Sequence, residues 1–167
     1  MTLGKVVIIM GSRSDLEYAE SMGRMLEEFN IDYEYRIASA HRTPDRVLSI
    51  LKEYETSGER IVYITVTGLS DALSGVVAGY TERYPVIACP PDSERLGGSK
   101  VLSALDTPRG VAAPLVMRPE NAVLHAAKIL GLHDLALSER ITQYYRRMRE
   151  KVERDDSEIR ARRRGDL

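Results

Sequence analysis

A chain of 167 residues is long enough for one domain, whose core removes about two thirds of the unfolded surface from water. Its 43% apolar residues include no run near the roughly 20 that span a bilayer, and a net charge of −1 gives no overall attraction to nucleic acid or an anionic membrane. The single cysteine, Cys89, excludes an internal disulfide or a cysteine-rich zinc site; with no basic, cleavable apolar leader at the start, the expected location is the reducing cytoplasm.

Five short apolar, β-branched runs recur along the chain, at residues 5–10, 33–37, 61–66, 86–89 and 111–116. Segments of helical spacing lie between them. Leu16, Ala19, Met22, Met25, Leu26 and Phe29 put one apolar stripe on a helix after the first run. Val47, Ile50, Leu51 and Tyr54 do the same after the second, behind Pro44, which suits the first turn of a helix. Continuous apolar strands alternating with amphipathic helices predict an α/β fold, a five-stranded parallel sheet covered on both faces in three layers. Pro114 places the last run at an edge or makes it irregular.

From Pro119 the pattern is helical, through Leu130 and again from about Asp134 to Arg160. The second stretch carries Leu135, Ile141, Tyr144, Tyr145, Met148 and Val152 among dense charge, and from Ser138 onward ten Lys/Arg stand against seven Asp/Glu. Residues 1–132 are read as the α/β domain. Residues 133–167 are read as a helical extension packing on the same or a neighbouring subunit. The closing Arg160-Ala-Arg-Arg-Arg-Gly165 reads as a solvated end, with a phosphate or RNA contact as the alternative.

In open parallel sheets ligands bind beyond the carboxyl ends of the strands, so the residues after each run are the ones to inspect. Gly11-Ser-Arg-Ser-Asp15 follows the first. Gly11 permits a tight turn, Ser12 and Ser14 set hydroxyls beside a helix start, and Asp15 suits ribose hydroxyls. The motif is either an anion site at the positive helix end or a plain helix cap through Ser14. It lacks the later glycines of a dinucleotide loop and the Gly-Lys-Ser/Thr of a P-loop.

Ser39-Ala40-His41-Arg42-Thr43-Pro44 follows the second run. His41 is the histidine at a strand end, where a side chain titrating near neutrality can take and return a proton; Arg42 adds a fork of donors for phosphate. The structural alternative is a capping histidine, and His125 and His133, in or beside helices, are read that way. After the third run, the stretch from Thr67 to Gly75 places small polar residues between glycines that let backbone approach a ligand. Asp71 either caps the next helix or meets the ligand, and Gly75 and Gly79 inside that helix suggest close packing. Cys89-Pro90-Pro91 makes a stiff turn with a buried, unreactive thiol, and Gly97-Gly98 suggests the hinge of a closing loop.

Gly11-Ser-x-Ser-Asp15 and Ser39-Ala-His-Arg-Thr-Pro44, each behind its own strand and joined by Pro108-Arg-Gly110, resemble the AIR carboxylase family, which includes N5-carboxyaminoimidazole ribonucleotide mutases. The resemblance runs from about Val6 to Leu132. It implies a flavodoxin-like three-layer fold, a homo-octamer with sites shared between subunits, no cofactor, and a ribonucleotide of purine biosynthesis as substrate. It also implies that Gly11, Ser12, Ser14 and Asp15 bind the ribonucleotide, that Arg42 binds its phosphate and that His41 moves a proton. Ser39, Ala40, Gly68, Ser70, Asp71, Ala72 and Leu73 would line the pocket.

The family's mutases carry a third loop of the form GGAAHLPG, and Ala72 stands where its histidine would fall. The carboxylases that use free CO2 carry a loop like GRSNALSG and an ACPP turn. Gly68-Leu-Ser-Asp-Ala-Leu-Ser-Gly75 and Ala88-Cys-Pro-Pro91 resemble that branch, departing from it at Leu69 for arginine and Asp71 for asparagine. The implied reaction carboxylates aminoimidazole ribonucleotide (AIR) with CO2 to form 4-carboxy-AIR (CAIR). The rivals are a mutase acting on the N5-carbamate, a nucleotide-binding regulator without catalysis, and a relative acting on another mononucleotide.

Overall fold

Two wholly buried strands set the layout. β1 (Lys5–Met10) and β3 (Ile61–Val66) lie side by side in parallel, Val6 opposite Val62 and Met10 opposite Val66, with almost every side chain shielded from water. A strand buried on both faces has no polar side to alternate with, which is why these segments read as continuous apolar runs. β2 (Asp32–Ile37) flanks β1 at one edge and is only half-buried; β4 (Val86–Ala88) flanks β3 at the other. In this computed structural model, which describes residues 4–92 and 101–164, the order is β2-β1-β3-β4, all parallel. That is the flavodoxin-like order.

Strand alternation divides the core in two. Val6, Ile8 and Met10 face one side with Val62, Ile64 and Val66, covered by α1 (Leu16–Glu28) through Met22 and Leu26. Val7, Ile9, Ile61 and Tyr63 face the other side, covered by α2 (Pro44–Glu55) through Val47, Ile50 and Leu51, and by α3 (Ala72–Tyr80) through Leu73 and Val77. The result is the expected three-layer arrangement. A short α4 (Leu102–Leu105) precedes α5 (Pro119–Gly131), which packs Ala122, Val123, Ala126 and Ala127 beside α1.

The expected fifth strand is not formed, and the sheet has four strands among the described residues. Residues 111–116 do run alongside β4, but they meet it at a single parallel bridge, Ala88 to Leu115. Ala88 N donates to Pro114 O at 3.0 Å and Val116 N to Ala88 O at 2.8 Å. Pro114 has no N–H to add a further rung, and β4 offers only three residues, so the ladder stops there.

α6 (Leu135–Arg164) spans 30 residues, about 45 Å. Its first third is fastened to the domain. Leu137 and Ile141 are buried in the core, Tyr144 stacks tilted on Phe29 at 5.4 Å, and Arg140 Nε donates to Phe29 O at 2.7 Å. Lys128 Nζ sits 4.9 Å from the Tyr145 ring centroid, and Arg147 pairs with Glu28. Past that ion pair Met148, Val152 and Ile159 are exposed. No helix among the described residues is long and apolar enough to cross a membrane.

Candidate active site

The carboxyl ends of β1, β2 and β3 open on one cavity of about 490 Å³. Gly11, Ser12, Ser14, Asp15, Ser39, Ala40, His41, Arg42, Thr67, Gly68, Leu69, Ser70 and Leu73 line it. A volume of this size suits a mononucleotide-sized ligand. It sits where neighbouring strands β1 and β3 send their chains to opposite faces of the sheet, the switch point at which such folds bind ligands.

The first wall comes from β1. Gly11 N donates to Val66 O at 2.9 Å, carrying the sheet one residue past β1. A 3-10 turn at Arg13–Asp15 then leads directly into α1. Ser12 N and Ser12 Oγ both donate to Asp15 Oδ2, at 3.1 and 3.3 Å, and Asp15 N donates back to Ser12 O at 3.2 Å. Ser12 and Asp15 thus fasten the turn, and Asp15 is buried in doing so. Ser14, read from sequence as either a helix cap or part of an anion site, meets Ser12 Oγ at 2.5 Å and is exposed. Two hydroxyls therefore stand together at the cavity just ahead of α1, near the positive end of the helix, a favourable place for an anion.

The second wall is the loop from Ser39 to Thr43. Ser39 N donates to Thr43 Oγ1 at 3.0 Å and Thr43 N to Ser39 O at 2.8 Å, so the loop closes on itself before Pro44 starts α2. Arg42 N donates to Ser39 Oγ at 3.2 Å, while Arg42 Nη2 reaches across to Gly11 O at 3.2 Å. That contact ties the second loop to the first and brings a fixed positive charge to the hydroxyl pair. His41 is exposed and lines the same cavity as the Gly11–Asp15 turn. His125 and His133, also exposed, are outside it.

Residues 67–73 form the third wall. Gly68 is required by its neighbour: a Cβ there would stand 2.9 Å from Asp15 Oδ1. Leu69 is exposed at the cavity and Leu73 buried beneath it, so with Ala40 this side is largely apolar. Asp71 and Ala72 are not among the lining residues. Asp71 caps α3, accepting from Ser74 N at 3.1 Å and Ser74 Oγ at 2.6 Å, and its own N–H donates to Ser103 Oγ at 3.2 Å. Thr65 Oγ1 lies 2.6 Å from Ser74 Oγ, completing a buried polar chain beneath the loop.

Thr67 and Leu69 line the cavity without being candidate site residues in the sequence, although the loop opening at Thr67 is one that lets backbone approach a ligand and Leu69 departs from the CO2-using pattern. The close packing expected at Gly75 and Gly79 is not found within the described residues: a Cβ at Gly75 would meet nothing within 4 Å, and one at Gly79 only Val111 Cγ2 at 3.7 Å. Cys89 is fully buried beside Tyr18 Oη at 3.5 Å; burial pushes its thiol up to about 11, so it stays protonated at neutral pH. The Gly97-Gly98 hinge lies outside the described residues. Among those described, no cluster of three or more His, Cys, Asp or Glu could hold a metal ion.

Residues 5–151 match the AIR carboxylase family. A phosphoribosylaminoimidazole carboxylase of Archaeoglobus fulgidus is 47% identical over 156 residues, 93% of this chain and 85% of that protein. An N5-carboxyaminoimidazole ribonucleotide mutase of Methanocaldococcus jannaschii is 40% identical, over 92% of this chain and 96% of its own length. A crystal structure of Treponema denticola PurE superposes with a TM-score of 0.91 at 41% identity, covering 93% of this chain and 98% of that one. With agreement in sequence and fold over nearly its whole length, the chain belongs to the AIR carboxylase family.

Proposed function

We propose that this protein is a phosphoribosylaminoimidazole carboxylase, forming CAIR from AIR and CO2 in purine biosynthesis. The observation that carries this reading is one cavity lined by the Gly11–Asp15 turn, the Ser39–Arg42 loop and residues 67–73, in a member of the AIR carboxylase family. The substrate phosphate rests on Ser12, Ser14 and Arg42, while Gly11 and Asp15 meet the ribose. Ser39, Ala40, Gly68, Ser70 and Leu73 surround the base and CO2. Asp71 ends the same loop as the cap of α3, and Ala72 begins that helix.

The exocyclic amine of the aminoimidazole makes the adjacent ring carbon enamine-like and nucleophilic. That carbon bonds to the carbon of CO2, whose displaced π electrons become the carboxylate charge. The ring carbon then bears both the carboxylate and its original proton. His41 takes that proton, the C–H electrons return to the ring, and aromaticity is restored. No bond requires ATP, biotin or a metal. The protein holds the reactants together and moves one proton. The apolar side chains of Ala40, Leu69 and Leu73 in the cavity lining suit an uncharged carboxyl donor.

The second reading, a mutase that transfers the carboxyl group of N5-carboxy-AIR, is favoured by the relative of that name at 40% identity. Supplying purified protein with AIR and dissolved CO2, and separately with the N5-carbamate under CO2-free gas, separates the two. CAIR formed at a higher rate from AIR and CO2 supports the carboxylase. Product only from the carbamate makes it a mutase, and binding without product under both conditions makes it a regulator.

The working assembly in this reading is a homo-octamer in the cytoplasm, with residues 133–167 as an extension that packs partly on a neighbouring subunit. What supports the extension is the bare apolar series Met148, Val152 and Ile159 beyond the Arg147–Glu28 pair.

A further inference from the structure

Thr67 directly follows β3 and lines the cavity, yet it is only 7% exposed. Its Oγ1 is shielded from solvent and has no hydrogen-bond partner among the described residues. Thr65, two residues earlier on the same side of the chain, is treated differently. Its hydroxyl meets Ser74 Oγ at 2.6 Å and Ile87 O at 3.3 Å. A buried hydroxyl left without a partner costs about 1–3 kcal/mol, and a residue needed only for packing would be better as valine.

The surroundings suggest what the hydroxyl is for. A Cβ built on Gly11 would lie 3.2 Å from Thr67 Cγ2 and 3.7 Å from Asp15 Oδ2, so the Thr67 methyl and the Asp15 carboxylate share the floor of the cavity under the first loop. Rotation about the single Cα–Cβ bond exchanges methyl for hydroxyl between staggered positions. Asp15 can only accept hydrogen bonds when ionised, whereas a hydroxyl both donates and accepts. The pair suits a ligand hydroxyl, which does the same.

We propose that Thr67 is a further substrate-binding residue, whose hydroxyl turns to meet a ribose hydroxyl of the bound ribonucleotide beside Asp15. The inference rests on the carboxylase reading and deepens it, since it makes the third wall read the sugar as well as the base.

The test compares Thr67→Val and Thr67→Ser with the wild type, using AIR and its 2′-deoxy and 3′-deoxy forms with CO2. Thr67→Val is expected to raise KM for AIR roughly threefold to tenfold, the worth of one hydrogen bond, with kcat within about twofold. Thr67→Ser keeps a KM near that of the wild type. For one deoxy form, the difference between Thr67→Val and wild type disappears. Without nucleotide, Thr67→Val melts about 2–4 °C higher, because the unsatisfied hydroxyl is gone. An unchanged KM in Thr67→Val, an equal penalty with all three nucleotides, or a lower melting temperature without nucleotide overturns the inference while leaving the carboxylase reading in place. A wild-type protein that neither binds nor carboxylates AIR overturns both.

Discussion

Replacing His41 by asparagine keeps a polar side chain in the loop and removes the imidazole assigned to move the proton. The account predicts that AIR still binds His41→Asn within a few-fold of wild type, while carboxylation of AIR and decarboxylation of CAIR both fall by about 10²–10⁴. Turnover at more than a tenth of the wild-type rate would remove His41 from its role. Cys89 makes a pH prediction. Its thiol titrates at about 11 in the folded protein against 9.0 ordinarily, so between those values the unfolded chain loses the proton first. Stability from this group is therefore whole below pH 9 and declines as pH rises toward 11. Urea midpoints of wild type and Cys89→Ala should converge over that window, and parallel curves would contradict the burial argument. Residues whose chemistry declared itself, such as His41 and Arg42, were legible in the sequence. Thr67 and Leu69 were legible only as members of the loop after β3, Leu69 through its departure from arginine, because neither side chain carries chemistry that marks a pocket.

At the scale of elements, the loop before α3 hangs on its cap. Asp71→Ala leaves Ser74 N and Ser74 Oγ without their acceptor and should lower stability by about 1–2 kcal/mol in urea unfolding, with KM for AIR raised as the 67–73 wall loosens. Asp71→Asn should retain most of both, since its carbonyl oxygen still accepts from Ser74 N. A loss in Asp71→Asn as large as in Asp71→Ala would show that the charge, not the cap, is what matters. Among the described residues Gly75 has open space around it inside α3, so Gly75→Ala should raise stability by about 0.5–1 kcal/mol. Destabilisation instead would mean that something beyond the described residues packs on α3. Strands β1 and β3 and helices α1 and α2 could be read from periodicity, because burial on two faces and on one face leave different patterns. The fifth strand misled for a physical reason: residues 111–116 are as apolar as a buried strand, but pairing depends on N–H groups, and Pro114 lacks one.

For the whole molecule, α6 divides at the Arg147–Glu28 pair. Ending the chain after Met148 removes the part that carries the exposed Val152 and Ile159, so cooperative unfolding should persist while sedimentation shows a smaller assembly. An unchanged assembly would assign the distal helix no role between subunits. That division was not legible in the sequence, because one helical pattern runs through both parts and only packing separates them. The central claim is that one ribonucleotide lies across the first two loops with its ring carbon under His41. A crystal structure of the assembled protein with AIR tests this most directly. The account predicts the phosphate against Ser12, Ser14 and Arg42, and an imidazole nitrogen of His41 within about 3.5 Å of the ring carbon to be carboxylated. A nucleotide bound elsewhere, or a His41 ring turned to solvent in every subunit, would contradict it.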